Sequence, residues 1–183
     1  MLHSGAHPGE SGIRGNGVIA LRDIPVGTVI WGPCEQCRTW TEDEQAEIPP
    51  AVVNWLDEFG YRLADRSLIL PCRGACLMNH SCEANVLDYG LAVGVAVRDI
   101  AAGDEMTCDY RTFRYDGPWE FACACGSPRC LGMIRSRPGE YPSELVAHWQ
   151  QQLTLALPAA KMAEQEISLR SGSVTAARLV CVP

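Results

Sequence analysis

The chain contains no stretch of about 18 consecutive apolar residues, the length a helix needs to cross a bilayer, so no membrane-spanning segment is expected. Its first ten residues, MLHSGAHPGE, lack the basic-then-apolar order of a secretory leader, and the expected compartment is the cytoplasm, or the nucleus in a eukaryotic host. Positive charge is also in short supply: 15 Lys and Arg face 22 Asp and Glu, for a formal net charge of -7. A general nucleic-acid binder needs cationic contacts to phosphate, so direct nucleic-acid binding is not expected, and a cationic partner such as a lysine-rich peptide fits better. No low-complexity segment and no repeat array is present.

What the chain does have is cysteine, ten in 183 residues. In a reducing compartment, clustered cysteines serve as metal ligands or as small buried hydrophobes more often than as disulfides. The length suits one domain of ordinary size with a small appendage, and it is enough to bury a real core.

Two stretches echo each other, GVIALRDIPVGTVI (residues 17–30) and GVAVRDIAAGDEMTC (residues 94–108). Each sets an apolar strand before Arg-Asp-Ile, then a turn ending in glycine, then a second strand, which predicts two hairpins of similar build. Between them Thr41 and Glu44 hold capping-box spacing, and Pro49-Pro50 ahead of AVVNWLDEF starts a second helix that Gly60 stops. RSLILP reads as a strand, whereas CRGACLMNHSCEAN and YDGPWEFACACGSPRCLG read as loops. PSELVAHWQQQLTLAL predicts a helix with Ser143 as its N-cap, and AAKMAEQEISLR a further helix.

LMNHSCEANV (residues 77–86) is out of place beside its apolar neighbours. Asn79, His80, Ser81 and Asn85 carry hydrogen-bonding groups that cost free energy if buried without partners, so a strand core would not select them together. Further on, CACGSPRC offers Cys123, Cys125 and Cys130, turned by Gly126, Ser127 and Pro128. Three thiolates can share one tetrahedral zinc, but a closed structural site needs a fourth ligand. Cys82 is the candidate, and it would tie the two unusual stretches together through one structural Zn2+; free or disulfide-bonded thiols are the competing reading.

Taken in order, RGNG (14–17), NHSCEAN (79–85), GDEMTCDY (103–110) and CACGSPRC (123–130) resemble a SET domain with its post-SET zinc loop. This is the family of S-adenosylmethionine-dependent protein-lysine methyltransferases. The resemblance covers residues 12–133 and rests on four motifs agreeing in order and spacing, since a lone G-x-G is common in turns. It implies a mainly β fold with short helices, a β-clip of small curved sheets around a pseudoknot in which the Asn-His-Ser-Cys segment threads past the Asp-Tyr segment. The implied layout is a SET domain over 12–117 with a helical insert near 40–62, a post-SET zinc loop over 118–134, and a C-terminal helical extension over 135–183 that buttresses the cofactor loop.

By the same resemblance, Gly15, Asn16 and Gly17 bring backbone close to the methionine part of S-adenosyl-L-methionine, a job suited to glycine. Asn79 and His80 bond the cofactor through backbone and side chain, Phe121 and Leu131 pack on its adenine, and Tyr61 lends an aromatic wall to the cofactor or lysine channel. Tyr110 matches the catalytic tyrosine. Cys108 replaces the tyrosine or phenylalanine that usually sizes the lysine channel; being smaller and a poor donor, it implies a pocket wide enough for di- or trimethylation. Cys76 stands where arginine is common, and Ala84 where proline is usual. No cysteine-rich block precedes Gly12, so the chain resembles the small stand-alone members, including bacterial ones.

The implied substrate is a lysine-containing protein or peptide, histone-like in its basic character. Two other readings stay open: an N-methyltransferase for a small-molecule or peptide natural-product amine, and a non-catalytic module, against which the intact Tyr110 and NHSC speak. Cys34 and Cys37 form a C-x-x-C, and Cys72 and Cys76 a C-x-x-x-C, that offer a second metal; beside strands, buried small hydrophobes are the favoured reading. Trp31, Trp40, Trp55, Trp119 and Trp149 are scattered and read as core or surface anchors.

Overall fold

The computed structural model describes residues 1–62, 66–89, 93–113, 119–135 and 141–167. Its strands are β1 (Ala6–Glu10), β2 (Asn16–Ala20), β3 (Val29–Trp31), β4 (Thr39–Trp40), β5 (Tyr61–Arg62), β6 (Leu68–Ile69), β7 (Val86–Leu87), β8 (Gly94–Ala96), β9 (Glu105–Met106), β10 (Glu120–Ala122) and β11 (Met133–Arg135). Its α-helices are α1 (Glu42–Ala46), α2 (Pro50–Phe59) and α3 (Ser143–Met162). The strands make small sheets in the orders β1-β2-β9, β3-β8-β7, β4-β6-β5 and β10-β11, the mainly β architecture that the sequence implied. No helix among the described residues is long and apolar enough to cross a membrane.

The echoing stretches pair with each other instead of closing as two separate hairpins. β2 pairs with β9 and β3 with β8, both antiparallel, and between them Ile24 and Ile100 exchange backbone hydrogen bonds of 2.8 and 2.9 Å. The aspartates of the two Arg-Asp-Ile triplets act reciprocally. Asp99 Oδ1 accepts from the Val26 N–H at 2.8 Å, and Asp23 Oδ1 accepts from the Ala102 N–H at 2.9 Å. A sequence echo thus becomes a local two-fold relation, in which each turn satisfies its backbone through the other copy. β2 gains its second neighbour from β1, a strand absent from the sequence expectation.

The helical insert forms as its caps dictate. Thr41 and Glu44 complete a reciprocal capping box on α1, Pro50 opens α2, and the Gly60 N–H closes it on the Leu56 carbonyl at 2.7 Å. The cysteine-rich loop also carries structure: β10 and β11 flank it as a two-stranded ribbon.

α3 departs from expectation in two ways. Its N-cap is Pro142, not Ser143. It continues through Pro158 to Met162, where a separate helix was expected; residues 163–167 have left the helix, and 168–170 lie outside the described residues. Burial explains the tolerated proline, since Leu153, Ala156 and Ala160 on either side of it pack with Trp149 against Leu87, Val93 and Val95. The helix therefore braces the β3-β8-β7 sheet. It lands on Gly27, at φ 87, where an added Cβ would lie 2.5 Å from the Ala160 nitrogen. Gln165 locks the seat, donating to the Gly27 carbonyl at 3.1 Å and accepting from the Val29 N–H at 2.9 Å.

Candidate functional site

The polar stretch finds its partners in a threaded crossing. Cys108 N–H donates to the Asn79 carbonyl at 2.9 Å and Ser81 N–H to the Cys108 carbonyl at 3.0 Å, and His80 and Val86 each form a parallel bridge to Cys108. Asn85 spans the crossing, accepting from Thr107 N–H at 2.8 Å and donating to the Glu105 carbonyl at 2.9 Å. Asn79 turns the other way: its Nδ2 lies 2.9 Å from Ser11 Oγ, 3.1 Å from the carbonyls of Arg14 and Asn16, and 2.9 Å from Glu105 Oε1. Ser11 Oγ in turn accepts from the Ile13 and Arg14 N–H groups, and Gly15 takes φ 54, so the R-G-N-G turn is shaped from both sides. These side chains are thus committed to building the walls, each buried polar group being paired.

Those walls enclose a cleft of about 800 Å³. Gly15, Asn16, Tyr61, Asn79, His80 and Phe121 line it, bringing together six of the eight residues assigned by resemblance to the cofactor. Gly17 and Leu131 are not among its lining residues: Gly17 sits buried in β2 against Glu105, and Leu131 is 61% exposed. Trp119 stacks on Phe121 with ring centroids 5.7 Å apart, which adds a second aromatic plate at a residue the sequence suggested only as an anchor.

A second, narrow cavity of about 60 Å³ adjoins the cleft. Glu58, Phe59, Gly60, Tyr61, Cys76 and Tyr110 line both. Trp31 and Phe113 complete an aromatic sleeve with Tyr61 and Tyr110: Trp31 meets Tyr61 edge-on at 5.4 Å, and Phe113 stacks on Tyr110 at 5.6 Å. Trp31 was read as an anchor, and it is buried, but it also faces this channel. Its convergence with Phe113, more than 80 positions along the chain, is tertiary and leaves no local signal. Cys108 lies at the inner wall with its Sγ 2.8 Å from Met78 Sδ.

Tyr110 is held from both ends. Its hydroxyl donates to the Met78 carbonyl at 2.7 Å, and its N–H donates to His80 Nδ1 at 3.1 Å. Burial pushes His80 down to about 4 despite the neighbouring Asp109, so the ring is neutral near pH 7. With Nδ1 accepting, its proton resides on Nε2, which faces Cys82 Sγ at 3.6 Å. Beneath the tyrosine, Asp109 accepts from Arg111 at 2.8 and 2.6 Å and from the Trp149 indole N–H at 3.0 Å. Helix α3 thus reaches the site through one buried carboxylate.

Cys82, Cys123, Cys125 and Cys130 bring their Sγ atoms within 4.8 Å of one another, the four that the sequence nominated. The Cys82–Cys123 separation is 4.0 Å, close to the roughly 3.8 Å edge of a tetrahedron with 2.3 Å metal–sulfur bonds. The donor set is therefore fit to hold a thiophilic metal.

Small sheets around a threaded crossing, a large cleft, a narrow aromatic channel sharing Tyr61 and Tyr110 with it, and four convergent thiols define a mainly β fold with two adjoining cavities beside a thiol cluster. The SET domain family matches residues 15–111, and the chain belongs to that family. It is 32% identical to Histone-lysine N-methyltransferase ATX2 of Arabidopsis thaliana over 143 residues, which are 72% of this chain and 13% of that protein. It is 39% identical to Histone-lysine N-methyltransferase ASHR3 of Arabidopsis thaliana over 79 residues, 39% of this chain and 15% of that protein. It is also 35% identical to Methyltransferase flvH of Aspergillus flavus over 75 residues, 39% of this chain and 42% of that protein. The chain spans less than half the length of each of these relatives.

Proposed function

We propose that the protein is an S-adenosylmethionine-dependent protein-lysine N-methyltransferase, with a basic, histone-like protein or peptide as substrate. The observation that carries this reading is the meeting of cleft and channel at Tyr110, since transfer between two ligands requires two compartments that share one reacting point. The cleft's chemistry suits a zwitterionic nucleoside. Arg14 lines it for a carboxylate, Gly15 leaves open space where a Cβ would stand, and the stacked Trp119 and Phe121 suit a purine. Gly15, Asn16, Asn79, His80 and Phe121 would hold the cofactor, Asn79 and His80 chiefly through backbone because their side-chain nitrogens are engaged within the protein. When bound, S-adenosyl-L-methionine supplies an electrophilic methyl group on a sulfonium.

The residues of the channel supply the rest. Trp31, Tyr61, Tyr110 and Phe113 exclude water from a lysine side chain, and desolvation lowers the amine's pKa from its ordinary value near 10.4 toward the neutral, nucleophilic form. Glu58, on the wall of both cleft and channel, attracts a cationic side chain before it is desolvated, whereas Asp57 is paired with Arg62 at 2.9 Å. Tyr110, pinned by Met78 and His80, orients the amine through its hydroxyl face, so acceleration comes chiefly from positioning. Cys82, Cys123, Cys125 and Cys130 would bind one structural zinc, which fixes the β10–β11 ribbon over the cleft and holds His80 through Cys82.

The test is tritium transfer from labelled S-adenosylmethionine to mixed histones and host lysate by zinc-loaded protein, run beside Tyr110→Phe. Label in a protein band, lost or sharply reduced in the variant, is the expected result. Label confined to small molecules, or protein label that Tyr110→Phe leaves intact, would overturn the reading.

A further inference from the structure

Cys34, Cys37 and Cys72 gather their Sγ atoms within 4.8 Å of one another, in a small core cluster with Ile69 and Tyr61 that shares no cysteine with the four-cysteine group. The Cys34–Cys37 and Cys34–Cys72 separations are 3.7 and 3.6 Å. A tetrahedral site with 2.3 Å metal–sulfur bonds has an edge of roughly 3.8 Å, so these thiols already stand at the spacing a shared cation requires. A disulfide would have to close one of these separations to about 2.05 Å and would leave the third sulfur unused.

Both chain segments are bent to make this convergence. The C-x-x-C turns on a Cys37 N–H to Cys34 carbonyl bond of 3.0 Å, so both thiols emerge from one knuckle. Directly after Cys72, Arg73 and Gly74 both take positive φ, at 58 and 83, and a left-handed arginine is a costly way to turn unless the surroundings require it. Cys76, spaced for a C-x-x-x-C with Cys72, stays out of the group and lines the channel instead. The expectation of buried small hydrophobes holds for Cys34 and Cys37, which pack with Ile69, and these two also converge with the half-buried Cys72.

We propose that Cys34, Cys37 and Cys72 form a second site for a thiophilic divalent cation, zinc in the first instance, with its fourth position left to water or a small exchangeable ligand. Cys34 and Cys37 are buried, with the Met1 amino group 3.5 Å from Cys37 Sγ, and Cys72 is half-buried, so solvent reaches the cluster from the Cys72 side. The site clamps the segment leaving β3 to the segment leaving β6. Tyr61 and Ile69, paired across β5 and β6, pack directly on the cluster, and Tyr61 and Pro71 are channel walls. A cation there would hold the channel wall in place at Tyr61 and Pro71. This inference stands on the thiol geometry alone and does not depend on the proposed methyl transfer.

The experiment is metal content by atomic emission on protein purified anaerobically without chelator from zinc-supplied cells. Wild type is expected to carry two zinc per chain, and Cys72→Ser and Cys123→Ser near one each. Because either variant can misfold, the metal-stripped wild type is also titrated with Co2+ under reductant. Thiolate-to-cobalt charge-transfer absorption should rise through two equivalents and collapse when zinc is added. Saturation at one equivalent, one zinc in wild type, or a Cys34–Cys37 disulfide in the anaerobic protein would overturn the proposal.

Discussion

Asp88 is expected to be a protonated carboxylic acid at neutral pH, and the structure gives a reason that does not depend on its burial alone. Thr112 Oγ1 stands 2.7 Å from Asp88 Oδ1 and 2.7 Å from the Asp109 carbonyl oxygen. A hydroxyl has one proton, so it can donate to only one of these oxygens. If Asp88 is protonated, its O–H donates to Thr112, Thr112 donates to the Asp109 carbonyl, and both contacts become hydrogen bonds. Burial pushes the group from an ordinary value of 3.8 up to about 8 and the Asp109 charge assists; the Thr112 hydroxyl opposes the shift only when it turns to donate to Asp88 instead of to the Asp109 carbonyl. The sign follows from linkage. A raised folded-state value makes its contribution to stability fully present below about pH 4, and that contribution is lost as pH rises through about 8. Each pH unit inside that window removes about 1.4 kcal/mol, so the ceiling between pH 5 and pH 8 is roughly 4 kcal/mol. Asp88→Asn keeps the shape and offers an amide N–H to Thr112 but cannot titrate. Urea unfolding of both proteins at pH 5, 6.5 and 8 should show the variant gaining on wild type as pH rises, by roughly 2 kcal/mol or more at pH 8. The infrared carbonyl band of a protonated carboxyl should be present in wild type at pH 7 and absent from the variant. Parallel stability profiles for the two proteins would refute the argument.

Gly27→Ala should lower stability by roughly 2 kcal/mol or more, because φ 87 disfavours a side chain and the new methyl would strike the α3 backbone; loss of protection of α3 amides in hydrogen exchange would locate the damage. Asn85→Ala removes two buried hydrogen bonds at the threaded crossing and should cost roughly 2–4 kcal/mol in chemical denaturation. Cys108→Phe should narrow the channel beside Met78 and shift products toward monomethyl-lysine in intact-mass analysis, whereas an unchanged product distribution would show that Cys108 does not size the channel.

Much of the site was legible in the sequence because its signals are local or motif-bound. The capping box at Thr41 and Glu44, the proline start and glycine stop of α2, and the order of the four motifs follow from what short segments do by themselves. So does the nomination of Cys82 with Cys123, Cys125 and Cys130, since a three-thiol loop needs a fourth ligand and one polar stretch offered it. Partner choice was not legible. An apolar strand followed by Arg-Asp-Ile announces itself as a strand but not which neighbour it will take, so the two echoes predicted separate hairpins where the fold pairs them with each other. The run of α3 through Pro158 was decided by apolar packing on both sides of the proline, outweighing a local break signal. Only the tertiary structure set Trp31 opposite Phe113, turned the side chains of Asn79 and His80 inward, and drew Cys72 to the knuckle of Cys34 and Cys37 while leaving Cys76 out. The sequence determines which chemical groups this protein owns and how each short segment bends; which of them meet depends on contacts between distant segments, whose free energy exists only once the core that brings them together has formed.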